Sequence, residues 1–550
     1  MFSIRFFKQA ALALACVTLT SGLLPQPLWA NQPENPPGYC ILPPYQQLAK
    51  PTTLDKQLLS TMEQYKIVGL SAAVFKDNKL VWSNGYGWSN LETCRPVTSD
   101  TLFRVASLSK MVTATALMQL YEQRKFDLDD DISNYLGYKV RNPHFPNSKI
   151  TFRQLLTHTS SITDNGAYYS IVEETPDLLR KIDIKDMLVP DGQYYTAETF
   201  SDYAPGTKFS YSNFGTGIVG SLVEKISGMP FDKYCSKYIF NPLNMDASFE
   251  PADLKNWQNI AVLYRPDEQL TSFRPTKDDF QGSKPKPATF SAPLGSALGR
   301  SPAGGLRTSS TDLSKFMQAH MNGGRYNRTR ILKADTADLM HSMQWFGNSM
   351  DGFYKQKGLN FHITDDLVPG KRLIGHSGEA YGLSSDAYYD PDSKLGVIFM
   401  MNGGNMTDAN PYYSVENAIA KTLFDTFAPK TINTTKKISA KSNAAYIIVN
   451  DRKIVLPAPA AIVKTGQTKN LFLPAISAAD ALGVSLGQTG ETYTYTYGQN
   501  KAALTAGRAV MLVNGKTMNL ANAPYKQQET VLVPIQELAS ALKVDIKLSF

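Results

Sequence analysis

Phe103-Arg104-Val105-Ala106-Ser107-Leu108-Ser109-Lys110 is the stretch on which the reading of this chain turns. A short lead runs into Ser-x-x-Lys, and Val112, Ala116, Leu117 and Leu120 then recur on one helical face. The spacing predicts a helix over 107–123. Residues three apart share a face, so Lys110 returns beside Ser107 after one turn. A serine hydroxyl is a weak nucleophile at neutral pH and needs a base within hydrogen-bond reach. A lysine whose pKa is lowered by burial is such a base. The start of a helix also presents free N–H groups and a positive dipole end to a carbonyl under attack. In isolation, Ser-x-x-Lys fits a helix cap with a solvated lysine equally well. The surrounding sequence decides between the two.

Tyr211-Ser212-Asn213 stands between Phe209 and an apolar helical pattern at Gly217–Ile226. His376-Ser377-Gly378-Glu379 opens directly into a hairpin at Leu383. Three elements in this order, S-x-x-K, Y-x-N and [HK]-x-G, resemble the serine β-lactamase and penicillin-binding-protein superfamily. Tyrosine in the second element resembles the class C β-lactamase branch with its D,D-peptidases and esterases. Another branch carries S-D-N and K-T-G instead. Leu155-Leu156-Thr157-His158-Thr159-Ser160-Ser161 is similar to that branch's LLTHTSG segment, with serine replacing glycine. Ile239-Phe240-Asn241-Pro242-Leu243 and Ala303-Gly304-Gly305-Leu306 also have counterparts there. The resemblance covers 55–427.

The resemblance implies a role for each matched residue. Ser107 would form an acyl-enzyme, and Lys110 and Tyr211 would handle the proton, with the choice of base left open. A phenol becomes a useful base only where nearby cations lower its pKa, and Lys110 and a protonated His376 are the candidates. Asn213 would orient the substrate amide, and the backbone N–H groups of Ser107 and Glu379 would form the oxyanion hole. His376, Ser377, Gly378 and Glu379 complete the substrate-binding set. His376 stands where β-lactamases usually carry lysine, and neutral imidazole is a poorer partner for a carboxylate. That departure points to a D-amino-acid peptide (D,D-carboxypeptidase-like), or a small ester or amide, ahead of a β-lactam. His158 reads as structural. A catalytically inactive surface binding protein is the alternative from another class.

The rest of the chain agrees with an α+β fold in which an antiparallel sheet is flanked by helices and joined to an all-helical subdomain. Leu70–Phe75 and Leu80–Trp82 read as strands around a turn at Asp77-Asn78. Residues 152–157 read as a short helix, and Ser310-Thr311-Asp312 caps a helix through Met321. Leu383 to Asn402 reads as a hairpin turning at Asp390-Pro391-Asp392-Ser393, followed by a helix from Tyr413 to Phe427. Strands at both ends with helices between place the terminal segments in one sheet. Two stretches, 162–205 and roughly 264–300, read as irregular.

The chain has 550 residues, too many for one ordinary core. Arg5 and Lys8 precede an apolar run from Ala10 to Leu24, and Leu28-Trp29-Ala30 supplies a cleavage site, so 1–30 reads as a secretory signal. Residues 31–54 form a proline-rich lead-in. The expected mature chain is exported, periplasmic or secreted and wall-associated, with no transmembrane segment. Of the cysteines then left, Cys40 and Cys94 are expected to pair and Cys235 to be buried and apolar. The formal net charge of +8 is spread thinly, without a basic stripe carrying aromatics, which excludes a nucleic-acid partner.

Residues 428–443 read as a linker, and 444–550 as a small α+β domain of two repeats. Ile447-Ile448-Val449-Asn450-Asp451 recurs as Met511-Leu512-Val513-Asn514-Gly515, and Leu471-Phe472-Leu473-Pro474 as Val531-Leu532-Val533-Pro534. This pattern is similar to the copper amine oxidase N-terminal-like domain. The tail contains no histidine or cysteine, so no copper, and no other cofactor or metal, is expected. The expected partners are a small-molecule or cell-wall peptide substrate and, through the tail, cell-wall polymer.

Overall fold

The computed structural model describes Cys40 and residues 50–347, 355–409, 411–428, 435–527 and 529–550. The expected signal segment and nearly all of the proline-rich lead-in lie outside the described residues.

The catalytic layer is built from α1 (Thr53–Gln64), β1 (Gly69–Lys76), β2 (Lys79–Asn90), α2 (Ser109–Glu122), α3 (Asn213–Ser227) and α4 (Ser310–Met321). It is completed by β3 (Leu373–Ala380), β4 (Leu383–Asp390), β5 (Leu395–Met401) and α5 (Ser414–Phe427). Strand order in the nine-stranded sheet runs from Trp345–Phe346 through Gln356–Lys357 and His362–Thr364 to β3, β4, β5, β1, β2 and Arg95–Pro96. Every pairing in it is antiparallel. Leu70 faces Met401 and Lys76 faces Leu395, so the first and last strands of the domain lie side by side. A single antiparallel sheet therefore closes a sequence separation of more than three hundred residues.

Both faces of the central strands are covered. β4 and β5 are buried throughout, which suits the run of Val, Ile, Phe and Met in β5, while β4 carries Ser384, Ser385 and Asp386 into the interior. On one face, Leu58 and Met62 of α1 and Ile419 and Leu423 of α5 close over Leu70, Val397 and Phe399. On the other, α4 and the helical subdomain pack against Ala73, Ile398 and Met400. Within that subdomain α2 is buried from Ser109 to Leu120, mostly through small and apolar side chains, with Lys110 and Gln119 as the long polar exceptions.

Several expectations change. The helix expected from Ser107 starts at Ser109, because Ser107 lies in a 3-10 turn, Ala106–Leu108. The stretch 162–205 is not irregular throughout. It contains the helix Gly166–Glu174, capped by the Asn165 side chain on the N–H of Tyr168, and short turns at Pro176–Arg180 and Lys185–Leu188. Within 264–300, Leu263–Pro266 and Phe273–Lys277 form a hairpin. β2 runs well past Trp82, since Gly85 and Gly87 let backbones approach closely. A Cβ on Gly85 would stand 2.5 Å from the carbonyl oxygen of Val97.

The segment read as a linker also departs from expectation. Lys436–Ser439 is a strand, antiparallel to Tyr446–Val449 and parallel to Ile546–Ser549, with Ile438 buried. The hairpins Tyr446–Val449/Arg452–Val455 and Val510–Val513/Lys516–Asn519 both turn through two residues of positive φ, Asn450-Asp451 and Asn514-Gly515. That is the turn type whose twist matches a two-residue hairpin. Each repeat ends in strand, proline and helix, at Ala475–Leu482 and Ile535–Leu542. Asp480 joins the tail to the catalytic domain, accepting the Met343 N–H at 3.0 Å and the Arg452 guanidinium at 3.0 Å, with Arg372 at 3.7 Å. Cys40 and Cys94 form a disulfide, and Cys235 is buried and free.

Candidate active site

Ser107 sits on an elbow. Phe103–Arg104 pairs with Arg307–Thr308, and the Val105 N–H still bonds the Leu306 carbonyl. The chain then turns through Ala106 at φ +44°, a left-handed conformation that costs an alanine energy, and enters the helix two residues beyond Ser107. Lys110 is fully buried, and its ammonium donates at 3.0 Å to Ser107 Oγ, at 2.8 Å to Asn213 Oδ1 and at 2.8 Å to the Ala303 carbonyl. Burial pulls its pKa down to about 7, against the opposing field of Asp164. A lysine in that range is half deprotonated at neutral pH while touching the serine hydroxyl.

Tyr211 lies over the same ammonium, its ring centroid 4.8 Å from Lys110 Nζ. The His158 ring lies 4.6 Å from the Tyr211 ring, and its Nδ1 accepts the Ser212 N–H at 3.2 Å. His158 therefore acts as expected, as a packed support. Asn213 is held by a residue that the sequence did not single out. Asp164 accepts from the Asn213 N–H and Nδ2, both at 2.8 Å, from the Phe214 N–H at 2.8 Å and from Ser212 Oγ at 2.9 Å. Burial raises its pKa, and the N–H groups at the start of α3 counter that. No motif marks Asp164, which lies in the stretch read as irregular.

The third motif lies on β3. A Cβ on Gly378 would stand 2.6 Å from the Val105 carbonyl oxygen and 3.0 Å from the Ser107 nitrogen, so glycine there lets the strand close on the nucleophile. Ser107 and Glu379 line one pocket with Asn213, Ala303 and Tyr381. Ser377 is buried, and its carbonyl lies 2.6 Å from His376 Nδ1. His376 itself is wholly buried, 3.7 Å from the His362 ring and 6.3 Å from that of Tyr211. Burial, then the charges of Lys357 and Lys110, hold its pKa well below the usual histidine range. The protonated His376 considered as an activator of the phenol is thus corrected to a neutral imidazole.

Of the eight expected residues, Ser107, Asn213 and Glu379 line this pocket, Lys110 and Tyr211 stand behind Ser107 and Asn213, and His376, Ser377 and Gly378 continue β3 beneath it. Among the described residues no cluster of three or more His, Cys, Asp or Glu is placed to hold a metal. The tail, without histidine or cysteine, lacks the donors a copper site uses.

Comparison with known proteins gives the same grouping. A family model described as Beta-lactamase matches residues 54–418, and one described as Copper amine oxidase N-terminal domain matches 466–549. A β-lactamase of Yersinia enterocolitica is 24% identical over 380 residues, covering 65% of this chain and 87% of that protein. Penicillin-binding protein 4 of Amycolatopsis lactamdurans is 28% identical over 354 residues, covering 62% and 83%. An octameric penicillin-binding protein homologue from Pyrococcus abyssi superposes with a TM-score of 0.52 at 20% identity, over 87% of this chain and 98% of that one. With a serine-hydrolase constellation on an antiparallel sheet and a family match over most of its length, the chain belongs to the β-lactamase family.

Proposed function

We propose that the chain is an acyl-transfer serine hydrolase in which Ser107 is the nucleophile and Lys110 its base, acting on a D-amino-acid peptide or a small ester or amide. One observation carries the reading: a fully buried lysine with a pKa near 7 stands 3.0 Å from the serine hydroxyl. Neutral Lys110 takes the proton as Ser107 Oγ adds to the carbonyl carbon. The N–H groups of Ser107 and Glu379 receive the oxyanion, and Asn213, fixed by Asp164, orients the amide. Tyr211, beside the ammonium, passes the proton to the leaving nitrogen or oxygen as the tetrahedral centre collapses. Water then attacks the acyl-enzyme by the reverse sequence and releases the acid. The neutral state of His376 supports an ester or amide whose leaving group carries no carboxylate over a β-lactam whose carboxylate needs a cation at that position.

The proposal extends to an exported chain whose tail contacts cell-wall polymer, supported by the basic, then apolar, N-terminal run and the net charge of +8. Among the described residues no helix is long and apolar enough to cross a membrane. Intact-mass spectrometry after incubation with a fluorescent penicillin and with a fluorophosphonate tests the chemistry. An adduct on the wild type that vanishes in Ser107→Ala supports the nucleophile, with penicillin labelling indicating a D,D-peptidase and fluorophosphonate labelling alone an esterase. A folded wild type that takes up neither probe refutes it.

A further inference from the structure

The pocket wall carries a cation that the acyl-transfer chemistry does not use. Arg104 lines the pocket with Ser107 and Tyr381, is 7% exposed, and places its guanidinium 5.2 Å over the Tyr381 ring. Among the described residues its side chain makes no hydrogen bond, and its Nε is buried without a partner. Its surroundings are positive. Arg104 lies directly across the strand pair from Arg307, and Lys277 Nζ stands 5.2 Å from the same Tyr381 ring. The nearby carboxylate of Asp278 hydrogen-bonds Arg307, at 2.6 and 3.2 Å, and offsets the charge of Arg104 only through space. Glu379 shares the pocket wall. Like charges placed opposite each other on paired strands are destabilising, and burying a guanidinium without a hydrogen bond adds to that cost. An anion in the pocket relieves both.

The position of Arg104 says which part of the substrate that anion belongs to. The nucleophile abuts Gly378, between His376 and Tyr381 on the same run of chain. At roughly 3.3 Å per residue along β3, His376 and Ala380 lie about 13 Å apart, with Gly378, which abuts Ser107, between them and Tyr381 turning off the strand's far end. If the leaving group lies toward His376, the acyl group lies toward Arg104.

We propose that Arg104 is a specificity residue that binds a carboxylate on the acyl half of the substrate, so that this hydrolase prefers acidic acyl donors. The inference rests on the acyl-enzyme reading for its orientation. A guanidinium offers a carboxylate two parallel N–H donors, a geometry that lysine lacks.

The test compares the mono-p-nitrophenyl ester of adipic acid with the same ester capped by a methyl group at its free carboxylate. The full-length wild type should favour the acid by about tenfold or more in kcat/KM, the size of one hydrogen bond to a charged group. Arg104→Gln should lower the acid-to-methyl ratio about tenfold, chiefly through KM, and Arg104→Lys should fall between. A wild-type ratio at or below one overturns the proposal without any variant, and so does an equal loss on both esters in Arg104→Gln. Binding of the two esters to Ser107→Ala, with and without Arg104→Gln, separates this proposal from the chemistry. If the wild type turns over neither ester, the acyl-enzyme reading fails for these esters, and equal affinity of Ser107→Ala for both overturns the role of Arg104 independently.

Discussion

Replacing Lys110 with methionine should change how stability depends on pH as well as abolish acylation. The folded chain releases the Lys110 proton near pH 7, whereas an unfolded lysine holds it to about 10.4. Between those values the unfolded state binds one more proton, so raising the pH favours the folded state. The penalty for burying the charged lysine is complete below pH 7 and vanishes above the unfolded pKa. One proton of difference is worth about 1.4 kcal/mol per pH unit. From pH 7.5 to 9.5 the wild type should therefore gain about 2.5 kcal/mol relative to Lys110→Met. Urea unfolding of both proteins at three pH values reads this out, and taking the difference cancels the tyrosines and other groups common to both. Acylation of the wild type by a neutral ester should rise with a midpoint near pH 7 over the same series. Parallel stability curves for the two proteins would refute the reasoning, since Lys110 would then keep an ordinary pKa in the folded chain.

Asp164→Asn should slow acylation about tenfold or more by loosening Asn213, and should move the midpoint of the pH–rate profile below 7 because Asp164 supports the Lys110 charge. An unshifted midpoint in stopped-flow acylation counts against that role. Asp480→Ala strands two half-buried arginines and should cost about 3 kcal/mol in urea melts, and a loss under 1 kcal/mol would contradict the interface. Its carboxyl, which burial alone would raise, is held below the usual range by Arg452 and Arg372. Replacing Cys40 and Cys94 with serine opens a loop spanning 54 residues and should cost about 4 kcal/mol, read as a lower urea midpoint. An unchanged midpoint would mean the bridge does not constrain the chain.

What was legible in the sequence is what local chemistry specifies. The helix ending at Met321 reads correctly because Ser310-Thr311-Asp312 marks its start, although the capping hydroxyl is that of Ser309, one residue earlier. The β4–β5 hairpin and the three motifs read correctly for the same kind of reason. What was lost depends on tertiary context. Asp164 is an isolated carboxylate until α3 presents its first N–H groups to it. Lys436–Ser439 looks like a basic spacer, and only pairing with the last strand of the chain makes it part of a sheet. In the sequence the second strand reads only to Trp82, and Gly85 and Gly87, which serve close packing, carry β2 on to Asn90. The neutrality of His376 follows from burial and two lysines, neither of which adjoins it in sequence.

The contact made by Asp480 bears on where this protein can be cut. Among the described residues the edge strand of the nine-stranded sheet, Trp345–Phe346, has no neighbour in that sheet on its outer side, and the tail's Tyr493 packs on Phe346 with ring centroids 6.4 Å apart. Trp345 in turn lies 4.9 Å from Phe209, two residues before Tyr211. A recombinant chain ended at the last helix of the family match would lose this cover, baring an aromatic sheet edge that templates aggregation. The unit for expression, crystallisation and drug screening thus keeps the tail together with the catalytic domain.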